Sequence, residues 1–136
     1  LVDISDDALK IAKINAQKHN VKVNLIKSNM FDNISRVYDV ITCNPPYISE
    51  LERGGLDKTI DFEPKIALFA EENGLHFYHV LAKGLKNIMH QSSFAIIEAG
   101  FQQREDIISI FSSGNYRILE IKNDISGNFR NIVLMK

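Results

Sequence analysis

Hydrophobic positions along the chain follow two periods. Leu9, Ala12 and Ala16 recur at helical spacing as far as about His19. They follow Ser5, a good N-cap, and the first-turn acids Asp6 and Asp7, which suit the positive end of a helix dipole. Leu1-Val2-Asp3-Ile4 ahead of that cap reads as the end of a strand. Val21, Val23 and Leu25 alternate, with Ile26 closing, and predict a strand over residues 21–26, then a loop over 27–32. Tyr38–Cys43 is a β-branched apolar run and predicts a buried strand. Gly74 opens a predicted helix whose apolar face is Leu75, Tyr78, Ala82, Leu85, Ile88 and Met89. A strand over 93–98 and a helix over Arg104–Ser113, stopped by Gly114, come next. Alternating strands over 116–121 and Phe129–Met135 flank Asp124-Ile125-Ser126-Gly127-Asn128 and predict an antiparallel pair. Strands that alternate with helices imply an α/β fold.

Residues 48–70 fit neither period. They hold Gly54-Gly55, a mixture of charges and Pro64. A loop this long in a compact domain is usually functional or mobile, so a partly helical lid on the substrate side is expected, with Phe62, Glu63 and Pro64 on its rim. The alternative is an exposed insertion.

The buried run over Tyr38–Cys43 leads straight into Asn44-Pro45-Pro46-Tyr47. Neither proline has an N–H for a ladder, so the strand stops. A residue before proline is held extended, so Asn44 leaves the carboxyl end of the strand on a stiff support. In open α/β sheets that edge binds ligands. The Asn44 side-chain carbonyl and the Pro45 main-chain carbonyl can accept both hydrogens of a substrate NH2 group. Pro46 has no N–H to compete for them. Tyr47 offers a flat face to a planar amide or base. Such a grip orients a weakly nucleophilic nitrogen and stabilises the positive charge that grows on it. A plain Pro-rich turn is the alternative. Asp3, at a strand end before a helix, stands where an acid takes the ribose hydroxyls of an adenosine cofactor; a second helix-capping carboxylate is the alternative.

Charge, cysteine and histidine then narrow the classes. A net charge of −1 gives no bulk signal for nucleic acid, so direct nucleic-acid binding is not expected. One cysteine excludes an internal disulfide and suits a reducing, cytoplasmic setting. Cys43 reads as a small buried apolar residue. No run is long enough to span a membrane. His76 and His79 lack an evident third ligand, so no metal is expected, and His19 and His90 read as helix-end residues near the last carbonyls.

Asn44-Pro45-Pro46-Tyr47 resembles the motif of S-adenosylmethionine-dependent methyltransferases that modify amide or exocyclic amino nitrogens. Leu1-Val2-Asp3-Ile4-Ser5 with Ala8-Leu9, Ala12 and Asn15-Ala16 is similar to the HemK family of protein-(glutamine-N5) methyltransferases of peptide chain release factors. So are Asp61-Phe62-Glu63-Pro64 with Ala67-Leu68, Asn73-Gly74-Leu75 with Phe77-Tyr78, and Glu98-Ala99-Gly100 with Gln102 or Gln103. The resemblance runs the length of the chain. It implies a class I methyltransferase fold, a Rossmann-like three-layer sandwich with sheet order 3-2-1-4-5-7-6. It implies a methyl donor, S-adenosylmethionine, released as S-adenosylhomocysteine. It implies Asn44, Pro45, Pro46 and Tyr47 at the reacting amide. It implies Asp3 on the ribose, Asn29 and Met30 beside the adenine, and Asn44 near the cofactor. Asn29 stands where the family usually has Asp, and Met30 where a larger ring often lies. An Asx-turn for Asn29 and a core contact for Met30 are the alternatives.

Counted against that family, residues 1–136 begin near strand 2. They are expected to be a partial catalytic domain of a longer protein, without strand 1, its glycine-rich turn and the N-terminal substrate-binding domain. No G-x-G-x-G pattern occurs in the chain. Alone, the chain is expected to be poorly stable and inactive, with two strand edges open. The function implied for the parent is methylation of the glutamine in the Gly-Gly-Gln motif of a release factor, which modulates translation termination. Methylation of adenine N6 or guanine N2 in nucleic acid is the alternative enzyme. A non-catalytic remnant of the fold is the alternative outside enzymes.

Overall fold

The computed structural model describes residues 1–136, which form two compact units, residues 1–36 and 37–136. The first unit holds strand β1 (Val2–Asp3), helix α1 (Asp6–Lys18) and strand β2 (Ile26–Lys27). The Ser5 hydroxyl caps α1 by accepting from the Ala8 N–H, as its sequence predicts. The helix ends on Asn20, whose φ of 52° is the left-handed conformation that Asn tolerates after a helix. β1 and β2 are parallel, with Val2 opposite Ile26 and Asp3 opposite Lys27. The strand expected over 21–26 is therefore reduced to Ile26–Lys27. Its alternation is present, but β1 offers only Val2 and Asp3 to pair with, and a strand exists only where a ladder does.

The second unit is a four-stranded sheet of β3 (Tyr38–Cys43), β4 (Met89–Glu98), β5 (Arg117–Asn123) and β6 (Phe129–Met135) in the order β3-β4-β6-β5. β3 and β4 run parallel; β6 is antiparallel to both β4 and β5. The expected antiparallel pair at the chain's end is present. Between the strands lie the short helix α2 (Lys65–Leu68), α3 (His76–Ile88) and α4 (Arg104–Ser113). Ala95, Ile97, Ile132 and Leu134 of the sheet are buried, with Tyr78, Leu81 and Leu85 of α3 and Ile107 and Phe111 of α4. These residues are the core. Leu81 replaces Ala82 as the buried residue of that turn of α3. β4 begins at Met89 rather than at 93. The Ser93 hydroxyl donates to the Tyr38 carbonyl at 2.7 Å and accepts from the His90 N–H at 2.9 Å, which ties the start of β4 to β3. His90 thus sits in a strand, and its Nε2 lies 3.0 Å from Asp39 Oδ1; it does not cap a helix.

Residues 48–70 contain two 3₁₀ helices, Glu50–Gly55 and Lys58–Phe62, and α2, so the region is partly helical. Its ends are tied: the Ile48 N–H donates to Leu68 O and the Ala70 N–H to Ile48 O, at 3.0 and 2.9 Å. A capping box between Ser49 and Glu52 starts the first turn. Leu51, Phe62 and Ile66 on its body are exposed.

Candidate active site

In the first unit the two parallel strands deliver Asp3 and the loop after Lys27 to one sheet edge. The Ser28 N–H donates to Asp3 O at 3.0 Å and so closes that edge. Asp3 Oδ1 accepts from the Ser5 N–H at 2.8 Å. One carboxylate oxygen therefore serves the turn into α1, the structural role weighed from the sequence. Asn29 is exposed, and the turn it opens is closed by its main-chain carbonyl accepting from Asp32 N, not by its side chain. Met30 is half-buried with φ of 45°, a left-handed conformation that is uncommon for a non-glycine residue. Ser28 holds the loop: its hydroxyl donates to Met30 O and accepts from the Asn33 N–H, at 3.1 and 2.9 Å. Ser28 is 3% exposed. Its part could not be read from the sequence, where a lone serine in a polar loop carries no signal.

In the second unit Cys43 pairs with Ile97, so Asn44 and Glu98 leave neighbouring parallel strands at the same level. Asn44 is exposed, Pro45 buried, and Pro46 and Tyr47 half-buried. This is the arrangement the prolines predict: an open amide on a rigid, partly buried turn. The Tyr47 hydroxyl donates to Glu98 Oε1 at 3.1 Å. Arg130 Nη1 lies 3.5 Å from the same hydroxyl, and Arg130 Nη2 donates to Asp124 Oδ2 at 3.1 Å. Burial, and after it the Glu98 carboxylate, push the Tyr47 phenol above its usual value, with Arg130 opposing. Tyr47 is thus a neutral donor toward Glu98. Backbone N–H groups of the tight turn, Asn128 foremost, and Arg130 hold the Asp124 carboxyl below its usual range. Burial raises the Cys43 thiol to about 11, so it is no thiolate nucleophile at neutral pH.

Several residues at this site had no role assigned from the sequence. Gln103 Nε2 donates to Tyr47 O at 2.9 Å and to Asn73 O at 3.1 Å. Gly74, expected to open a helix, instead ends a left-handed turn in which Glu72, Asn73 and Gly74 have φ of 56°, 56° and 83°. A Cβ on Gly74 would lie 2.1 Å from Tyr47 O. The dipeptide Asn73-Gly74 is a turn signal and could have shown this. Arg130 had no such signal, because Tyr47 and Ala99, which it meets here, lie 83 and 31 residues away in the sequence. No group of three or more His, Cys, Asp or Glu side chains is placed to hold a metal ion, and no helix is long and apolar enough to cross a membrane.

The sequence profile of the Methyltransferase small domain matches residues 1–59. The chain is 42% identical over 132 residues to a bifunctional methyltransferase of Rickettsia typhi, covering 94% of this chain and 26% of that protein. It is 36% identical to the release factor glutamine methyltransferases of Francisella tularensis and Buchnera aphidicola, covering 95% of this chain and 46% and 47% of theirs. The chain therefore spans between about a quarter and about half of the length of these relatives. Among solved structures it superposes on a methyltransferase from Pyrococcus furiosus with a TM-score of 0.73 at 15% identity, over 99% of this chain and 60% of that one. A ribosomal protein L11 methylase from Lactobacillus delbrueckii gives 0.71 at 14%, over 99% and 55%. An S-adenosylmethionine-dependent methyltransferase from Clostridium acetobutylicum gives 0.62 at 13%, over 98% and 73%. Strand order agrees too: β2-β1 and β3-β4-β6-β5 correspond to 3-2 and 4-5-7-6 of the expected sheet. By these comparisons the chain is similar over nearly its whole length to release factor glutamine methyltransferases, and it has the α/β fold of the class I S-adenosylmethionine-dependent methyltransferases.

Proposed function

We propose that the chain is the catalytic-domain part of an enzyme that methylates the side-chain amide nitrogen of a glutamine in a peptide chain release factor. The observation that carries this reading is the exposed Asn44 amide on its proline-stiffened turn, beside a Tyr47 whose hydroxyl is already engaged. The methyl donor is S-adenosylmethionine, which supplies an activated methyl group. The residues present fit its adenosine end: an Asp3 carboxylate at a parallel sheet edge, with the Asn29 amide and the Met30 thioether on the adjoining loop. Asp3 would hold its ribose hydroxyls, and Asn29 and Met30 would hold its base.

At the reacting amide, the Asn44 side-chain carbonyl and the Pro45 carbonyl each accept one N–H of the substrate. The nitrogen lone pair then points along a single direction, and orientation replaces nucleophilicity. Methyl transfer, which the bound donor would supply with loss of its own S–C bond, would build positive charge on that nitrogen. The two carbonyl dipoles and the Tyr47 ring face stabilise it. The extra proton leaves to water, so no residue of the chain need act as a strong base. A release factor as substrate places the reaction in the cytoplasm, a setting that the single thiol suits.

The test is methyl transfer from labelled S-adenosylmethionine by the intact protein that carries this chain, offered a release factor and, separately, DNA and rRNA. Label on a release-factor glutamine is expected, with Asn44→Ala lowering kcat at least a hundredfold, of the order that loss of one transition-state acceptor costs. Label on DNA or rRNA alone would move the assignment to amino-group methylation of nucleic acid. No label on any of the three would leave the fold without this activity.

A further inference from the structure

We propose that Gln103 and Glu98 are positioning residues that clamp the substrate-binding turn at Tyr47 from two sides, Gln103 by its main-chain carbonyl and Glu98 by its hydroxyl. The role in catalysis rests on the amide-methylation reading above; the clamp itself does not.

The first half of the clamp is an amide with its orientation dictated. Gln103 Nε2 has two hydrogens and faces two main-chain carbonyls, Tyr47 O and Asn73 O. Rotating the amide would set an acceptor against two acceptors. The other end of the side chain, Oε1, is buried and has no hydrogen-bond partner. It lies 2.5 Å from where a Cβ on Gly100 would stand, so only glycine at 100 leaves room for it. A buried, unpartnered amide oxygen is unfavourable, and the fold accepts it where the nitrogen end makes two bonds.

The second observation is the wall behind the carbonyl. Glu72, Asn73 and Gly74 form a left-handed turn, which L-residues adopt at a cost. That turn puts the Gly74 backbone directly against Tyr47 O. It also presents Asn73 O to the same Gln103 nitrogen. Strain is thus stored beside the motif, and Gln103 is the residue that ties the strained turn to it.

The far end of Tyr47 is held as well. Its hydroxyl donates to Glu98 Oε1, and Arg130, itself fixed by Asp124, lies on the other side. A residue gripped at its carbonyl and at its para-hydroxyl has both its ring position and the carbonyls of the preceding prolines determined. Positioning matters because a misplacement of about 1 Å at a reacting centre costs about a hundredfold in rate. A phenol that donates to a carboxylate also has a more electron-rich ring, which suits a cationic transition state.

The experiment uses the intact protein with 3-fluorotyrosine at position 47 and reads both methyl transfer and the fluorine resonance. Gln103→Met keeps the bulk and removes the donor; Gln103→Glu keeps the shape and places an acceptor at two carbonyls. Both are expected to lower kcat by about ten- to a hundredfold, Glu more than Met, with KM for S-adenosylmethionine unchanged and the thermal midpoint retained in Gln103→Met. Glu98→Leu is expected to lower kcat and to bring the fluorotyrosine titration to lower pH. Glu98→Gln, which keeps an acceptor, is expected to recover activity over Leu. The fluorine resonance is expected to move in Gln103→Met without a change in its titration. Full kcat in Gln103→Met, or a resonance unmoved by both Gln103→Met and Glu98→Leu, overturns the clamp. If the unsubstituted protein methylates no glutamine, the functional reading fails, and the fluorine data alone then support or overturn the clamp.

Discussion

Gly74 shows how little latitude a single backbone position can have. Its φ of 83° is open to glycine at no cost and is strained for any L-residue. A Cβ there would meet Tyr47 O at 2.1 Å, and that oxygen is main chain held by Gln103, so it cannot swing aside as a side chain would. Gly74→Ala is expected to destabilise the second unit by about 3 kcal/mol, at the upper end of what such strain costs. Gly54, with nothing within 4 Å of a built Cβ, is the control, and Gly54→Ala is expected to change stability by less than about 0.5 kcal/mol. Urea titrations of the two variants check this; equal effects would mean that the turn at 72–74 relaxes away from Tyr47 freely. Asn44, at the same site, is the opposite kind of residue. It is exposed, and under the proposed function its part is to accept from the substrate amide.

The elements differ in how they are held. α3 buries Tyr78, Leu81, Leu85 and Ile88, and the Tyr78 hydroxyl donates to Glu98 O at 3.2 Å. α1 has no buried residue, and its Ile11 and Ile14 are more than half exposed. β1 and β2 share two residue pairs, whereas β4 and β6 share a ladder of five. Local opening costs least where little apolar surface is buried. In the chain as it stands, amide hydrogens of α1, β1 and β2 are therefore expected to exchange well before those of α3, β4 and β6. Hydrogen exchange read by mass spectrometry checks this; equal protection of the first and second units would refute it. The capping chemistry of α1 does not alter the expectation. Ser5 and the first-turn acids Asp6 and Asp7 favour the helix locally, but packing supplies most helical stability in proteins.

For the molecule as a whole, the consequential feature is apolar surface left uncovered. Val40 is 57% exposed on β3, the edge strand of the four-stranded sheet, and Phe94 opposite it and Ile96 further along β4 are also exposed. An open edge with an apolar face beside it is a template for association. The chain on its own is expected to sediment increasingly fast as concentration rises, and Val40→Lys is expected to suppress this. A chain that stays monomeric across that range would refute the expectation. Much of this fold was legible in the sequence, because its signals are local. The helical period of residues 6–18, the Ser5 cap, the β-branched run to Cys43 and the prolines after it act within a few residues of themselves. The Asn44-Pro45-Pro46-Tyr47 turn could be placed at a strand end for the same reason. What surrounds Tyr47 could not. Glu98, Gln103 and Arg130 lie 51, 56 and 83 residues away and reach it only because β3, β4 and β6 are neighbours in one sheet. The length of β2 was also a tertiary matter, since alternation in 21–26 becomes a strand only where a partner runs beside it. Local chemistry thus determined most of the elements and the proline-stiffened turn after β3, while long-range pairing alone decided which side chains hold that turn in place.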